Sequence, residues 1–209
     1  MRKMYLSAPL PFVGQKRMLA KEFMKVLEQY PDGTLFVDLF GGSGLLSHIT
    51  KSLKPHSTVI YNDFDNYRFR MKHIPQTNQL LADIREMVGN SVPRHKIIKG
   101  ELRERIFSRI EQEENSTGYV DFITLSSSIL FSMKYKLSVQ DMRKEALYNN
   151  IRKTGYPECT DYLEGLEIVS CDYKEVFNRY KDIPGVVFLV DPPYLSTDVG
   201  TYNMYWNMA

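Results

Sequence analysis

Only two cysteines occur in the sequence, Cys159 and Cys171, with neither a CxxC pair nor a metal-type spacing. A disulfide framework and a structural metal are therefore not expected, and the usage fits a reducing compartment. No apolar run approaches the roughly 18 residues that span a bilayer, and the N-terminus has no hydrophobic signal region. A soluble, intracellular protein is expected. The net charge is only +2, so any nucleic-acid surface must be local. Internal repeats and low-complexity tracts are missing too. What is present, 43% hydrophobic and 12% aromatic residues in a chain of 209, suffices for a substantial core in one domain, with room for an insertion.

Residues 186–190 are five apolar residues, three of them valine, and read as a strand buried on both faces of a parallel sheet. Pro192 and Pro193 stop it, because neither has an N–H and each fixes its own φ. Asp191 is thus expected at the carboxyl end of a central strand, where open α/β sheets bind ligands. Taken alone, Asp-Pro-Pro-Tyr is equally a strand stop with a turn acid, and the other strand ends decide. Residues 34–38 form a candidate strand ending in Asp38, then Leu39-Phe40-Gly41-Gly42-Ser43-Gly44, then a helix. Strand, glycine-rich turn and helix are the recipe for a nucleotide-type site. The glycines do not fit GxGxxG and no P-loop lysine follows, so phosphate binding is not favoured. Strand 58–61 leads into Asn62-Asp63-Phe64-Asp65, and Asp63 stands 25 positions after Asp38. That is near the roughly 20 residues expected before an acid that accepts from both ribose hydroxyls. Phe64 suits either an adenine face or the core, and Asp65 suits a helix cap. Strand 166–170 leads to a further acid, Asp172. Four acids at strand ends of one sheet need ligand donors or a cation to offset their repulsion.

Pro9 and Pro11, followed by Phe12, Val13 and Gly14, read as an extended arm. An amphipathic helix follows, with Leu19, Phe23, Val26 and Leu27 on its apolar side. Lys16 near its start suits an anionic ligand; a solvated lysine is the plain alternative. Residues 66–165 break the alternation and read as helical, with helices over 80–88, 96–110, 119–133 and 141–151. Residues 94–109 carry six Lys/Arg against two Glu, and residues 134–153 carry six against one Asp and one Glu. Tyr135 and Tyr148 interleave with the second run, as on many nucleic-acid surfaces, although charged helix faces are ordinarily just solvated.

In order and spacing these motifs resemble the Dam-type class of DNA adenine methyltransferases, whose cofactor motifs precede a target-recognition insertion and whose Asp-Pro-Pro-Tyr motif follows it. Phe12-Val13-Gly14-Gln15-Lys16-Arg17 is similar to the N-terminal motif of that class, and Asp38 to Gly44 to its glycine loop. Tyr61-Asn62-Asp63 resembles the segment with the ribose-binding acid, and Cys171-Asp172-Tyr173 the one whose acid accepts from the cofactor's adenine amine. The resemblance implies an α/β, Rossmann-like S-adenosylmethionine-dependent methyltransferase sheet with a helical insertion subdomain. Residues 1–65 and 166–209 would form the catalytic domain, and 66–165 the DNA target-recognition region. The implied catalytic residues are Asp191, Pro192 and Tyr194, the last stacking on an adenine turned out of double-stranded DNA. Implied cofactor contacts are Phe12, Lys16, Asp38, Phe40, Gly42, Gly44, Asp63, Phe64 and Asp172, with Lys16 on the methionine carboxylate. DNA contacts are expected from Arg94, Lys134, Lys136, Arg143 and Lys144, and no metal is expected. The setting implied is a prokaryotic or phage cytoplasm, with restriction-modification as a context.

Three departures accompany the resemblance. Gln15 stands where the class has a second glycine, and residues 129–135 lack its Asn-Gly dipeptide. The sequence also ends about fifteen residues after Tyr194, short of the strands that complete the sheet in relatives. One sheet edge is therefore expected to be uncovered in a monomer or covered in a dimer, with residues 196–207 beginning a lid. A catalytically silent cofactor- or DNA-binding remnant, and a methyltransferase of RNA or protein amides, are the competing readings.

Overall fold

The computed structural model describes residues 3–14, 16–131 and 134–192. In chain order its first elements are α1 (Ala20–Glu28), β1 (Phe36–Asp38), α2 (Leu45–Leu53), β2 (Val59–Asn62), α3 (Tyr67–Lys72) and α4 (Ile74–Val88). Then come β3 (Ile97–Ile98), α5 (Gly100–Thr117), α6 (Phe122–Ile129), α7 (Val139–Arg143) and β4 (Leu147–Tyr148). The last are β5 (Glu167–Val169), α8 (Tyr173–Tyr180) and β6 (Val187–Leu189). The chain divides into two compact units, Met1–Phe69 with Cys159–Ala209, and Arg70–Glu158. Among the described residues no helix is long and apolar enough to cross a membrane. The expectations for Tyr194 and for residues 196–207 lie outside the described residues.

The first unit holds a parallel sheet in the order β5-β2-β1-β6. Side chains alternate across it, as the pleat requires. Phe36 and Val59 point to a cluster with Ala20 and Leu27 of α1 and Leu45 and Ile49 of α2. Val37 and Ile60 point the other way, to Val176 of α8. With helices on both faces and the strand order reversing between β1 and β6, this is the Rossmann-like arrangement. Because all four strands run the same way, their carboxyl ends share one edge. Asp38 is the last residue of β1, and Asp63, Asp172 and Asp191 follow the ends of β2, β5 and β6.

Two local expectations in this unit need correction. Residues 186–190 are not buried on both faces: only Leu189 is fully buried and Val190 is 61% exposed. Among the described residues β6 pairs only with β1 and stands last in the strand order. Leu19 and Val26 do not belong to the apolar side of α1; they are 54% and 46% exposed. Ala20 and Leu27 take that role, with Phe23 and Met24 against the same cluster. Leu19 ends a 3-10 turn over Arg17–Leu19, whose tighter winding turns it off the helical stripe.

The second unit is helical with one exception. Pro75 sits in the first turn of α4, where its missing N–H leaves no helical bond unmade. Gly118 ends α5 with a φ of 72°. Asp121 caps α6 by accepting from the Thr124 backbone N–H, and Ser138 caps α7 by accepting from that of Asp141. The helices expected over 96–110 and 141–151 both begin or end in strand instead. Ile97 pairs with Tyr148 and Ile98 with Leu147 in a two-stranded antiparallel ribbon. Each half has helix-compatible periodicity, and only the distant partner makes it a strand.

Candidate active site

The turn after β1 explains its glycines. A Cβ on Gly41 would lie 2.3 Å from the Tyr61 ring and 2.8 Å from the Asn62 carbonyl, so no side chain fits. Gly42 has a φ of 49°, and its Cβ would meet the Phe12 ring at 2.9 Å. Gly44, with a φ of 71°, is the N-cap of α2, and no side chain caps that helix. Phe40 lies against Tyr173 at 4.9 Å between ring centroids.

Asp38, beneath this turn, is 1% exposed. The Ser47 hydroxyl donates to its Oδ2 at 2.7 Å, while Oδ1 is buried with no hydrogen-bond partner among the described residues. Burial pushes its carboxyl up to about 7; the Ser47 hydroxyl pulls down, Asp191 pushes up and the Phe40 backbone N–H pulls down. A buried acceptor beside an acid, with one oxygen unsatisfied, favours a donor or a cation.

Asp63 already serves the protein. Its Oδ1 accepts from the Tyr67 backbone N–H at 2.6 Å and the Tyr61 hydroxyl at 3.0 Å, and its Oδ2 from the Arg68 backbone N–H at 3.1 Å. It therefore caps the first turn of α3. A carboxylate has about four acceptor sites, so about one is left for a further donor. Burial raises its pKa, and the hydrogen bonds act the other way. The hydroxyl of Tyr67 bonds both backbone groups of Leu10, at 2.9 and 3.2 Å, and its ring meets Phe12 edge-on at 5.8 Å. The arm carrying Phe12 is thereby fastened beside Asp63 and Gly42. Phe64 is half-buried. Asp172 is exposed and caps α8, accepting from the Lys174 backbone N–H at 2.8 Å.

Asp191 follows β6 and Pro192 follows it; both are half-buried. Lys16 Nζ lies 2.7 Å from Asp191 Oδ2 and donates to the Gly14 carbonyl at 3.0 Å. The structure thus places the lysine assigned to a cofactor carboxylate on the acid of the Asp-Pro-Pro motif. Sequence reasoning also missed Asn62, whose amide donates to Leu39 and Cys171 carbonyls at 3.0 and 2.9 Å and accepts from the Cys171 backbone N–H. It ties the ends of β1, β2 and β5 together. A buried amide ending an otherwise apolar strand was the available signal.

In the second unit the five basic residues expected to contact DNA have internal partners. Arg143 bonds Glu104 at 2.7 Å and Glu111 at 3.0 Å and lies over the Phe107 ring at 4.5 Å. Lys144 bonds Asp141 at 2.7 Å. Arg94 donates through Nη1 to the Ile151 carbonyl. Lys134 and Lys136 share one carboxylate, Glu145, at 2.6 and 3.2 Å. These two lysines are the basic pair whose charge that carboxylate only half offsets.

A sequence profile described as D12 class N6 adenine-specific DNA methyltransferase matches residues 12–209. A protein of Haemophilus influenzae described as "Putative methyltransferase" is 40% identical over 206 residues, which cover 97% of this chain and 69% of that protein.

Proposed function

The chain belongs to the D12 class N6 adenine-specific DNA methyltransferase family, and from that premise we propose that it transfers a methyl group from S-adenosylmethionine to the exocyclic amine of adenine in double-stranded DNA. One observation carries the reading. Asp191 and Pro192 follow β6, beside the β1 strand that ends in Asp38 and the glycine turn, at the point where the strand order reverses.

When bound, S-adenosylmethionine supplies a methyl group made electrophilic by its sulfonium centre. The residues present fit such a group. Asp38 offers a buried, partly unsatisfied acceptor to a cation, and the bare glycine backbone allows close approach. Asp63 keeps about one acceptor site for a ribose hydroxyl. Phe12, Phe40 and Phe64 supply apolar walls.

Adenine's amine is a weak nucleophile because its lone pair is delocalised into the ring. In the proposed mechanism the Asp191 carboxylate and the Pro192 carbonyl accept its two hydrogens and draw the nitrogen towards a tetrahedral geometry. Asp191 also offsets the positive charge that develops on the nitrogen and receives its surplus proton. Lys16 holds Asp191 in place from the side of the N-terminal arm. Positioning of this kind supplies much of the rate. The base must first leave the duplex, at a cost of about a few kcal/mol. Lys134 and Lys136 are the proposed phosphate contacts, since Glu145 offsets only one of their two charges.

Labelled S-adenosylmethionine presented with DNA, RNA and protein in parallel tests the reading. Label recovered as N6-methyladenine in DNA supports it. Label on RNA or protein, or binding without transfer, overturns it.

A further inference from the structure

Tyr61 has no part in the chemistry described so far, yet it touches both halves of the proposed cofactor site. It lies on β2, opposite Asp38 in the register, and is fully buried. Its ring fills the space that a Cβ on Gly41 would need and lies 3.4 Å from the Cβ position of Gly44. Its hydroxyl reaches the Gly42 carbonyl at 2.8 Å and Asp63 Oδ1 at 3.0 Å. An apolar residue would fill the same space in a buried strand. A buried hydroxyl is costly unless bonded, so the phenol is explained by its two acceptors. Burial, reinforced by Asp63, keeps the phenol protonated and therefore a donor. Its one proton serves two acceptors, so the loop carbonyl and the acid are held to a common point.

We propose that Tyr61 is a positioning residue of the cofactor site, its hydroxyl setting the distance between the glycine turn and Asp63. The role rests on the reading that S-adenosylmethionine binds at the carboxyl ends of β1 and β2. A second phenol supports the same turn: the Tyr162 hydroxyl donates to the Ser43 carbonyl at 3.1 Å. It has no hydrogen bond to Asp63 among the described residues, so Tyr162→Phe separates loss of a loop bond from loss of the coupling.

Tyr61→Phe keeps the ring and removes only the link. Calorimetry should show S-adenosylmethionine and S-adenosylhomocysteine bound about tenfold more weakly, the order of one buried hydrogen bond. Turnover at saturating cofactor and KM for DNA should stay within about twofold of wild type. Asp63→Asn combined with Tyr61→Phe should cost less than the two separate losses together, because both act on one contact. Tyr162→Phe should weaken binding less than Tyr61→Phe. Unchanged cofactor affinity in Tyr61→Phe, or additive losses in the double variant, overturns the role. Parallel loss of turnover, DNA affinity and thermal stability also overturns it, since that is the mark of a merely structural residue. Should Tyr61→Phe not fold, hydrogen exchange of the Gly42 and Gly44 amides in Asp63→Asn replaces it. Faster exchange there supports the coupling, and exchange as in wild type refutes it. A wild-type chain that binds neither ligand overturns the functional reading itself, and this role with it.

Discussion

Lys16 Nζ lies 2.7 Å from Asp191 Oδ2, with the two side chains 18% and 23% exposed. The pair joins the N-terminal arm to the acid after β6, from almost opposite ends of the chain. It gives Asp191 a fixed direction before any base arrives. Asp191→Asn should lower turnover by about 10²–10³-fold, as loss of a preorganised charge-stabilising group does. Cofactor affinity should hardly change. Lys16→Met should lower turnover by about fivefold, the worth of a partly exposed ion pair, again with cofactor affinity kept. Single-turnover kinetics with direct cofactor titration check both. Weakened cofactor binding in Lys16→Met would return the lysine to the cofactor's carboxylate.

Asp38 should make stability fall with pH. Its folded pKa of about 7 lies above the ordinary value of 3.8, so the native state binds the proton more tightly than the unfolded chain. The contribution is fully present below about 4 and is lost as pH rises through about 7. At about 1.4 kcal/mol per unit, Asp38→Asn should be more stable than wild type by a few kcal/mol above pH 8 and gain little below pH 4. Urea unfolding across that range measures it. A pH-independent difference between the two proteins would exclude the buried-carboxyl explanation.

His48 should be a stability residue of the first unit. It is fully buried, with Nε2 accepting from the Tyr5 backbone N–H at 2.9 Å and Nδ1 donating to the Tyr162 carbonyl at 2.7 Å. Its ring stacks on Tyr162 with centroids 4.7 Å apart. His48→Leu orphans two backbone groups at about 1–3 kcal/mol each, so a loss of about 2–6 kcal/mol is expected in chemical denaturation. A loss under about 1 kcal/mol would mean that neither bond matters.

The second unit's lysines and arginine should separate in their response to salt. Lys134→Ala and Lys136→Ala should each reduce the slope of log affinity for DNA against log salt by about 0.9, one phosphate contact apiece. Arg143→Ala should leave the slope alone, because Glu104 and Glu111 already engage that side chain. It should instead lower stability by about 1 kcal/mol through its ion pairs and the Phe107 face. The reverse pattern would place the DNA surface on Arg143.

The four acids after the strands were legible because each signal is local. A valine-rich run stopped by prolines announces Asp191, and a short apolar run opening into glycines announces Asp38. The direction of the sheet then brings them to one edge, since parallel strands carry equivalent ends together. That Asp63 also accepts from the first N–H groups of α3 is not written in any window of sequence, because the turn's path decides which acid reaches them.

Sequence by itself determined the parallel α/β core, through short apolar strands and helical stripes that are properties of neighbouring residues. Tertiary structure alone decided which distant groups meet. Ile97-Ile98 became a strand only by finding Leu147-Tyr148. The Lys16 ammonium turned to Asp191, and the basic run around Arg143 closed on Glu104 and Glu111. The Tyr61 hydroxyl found Gly42 and Asp63. Periodicity records which face of an element is apolar, whereas the partner of a charge or hydroxyl depends on how the closed chain brings remote segments within hydrogen-bond range.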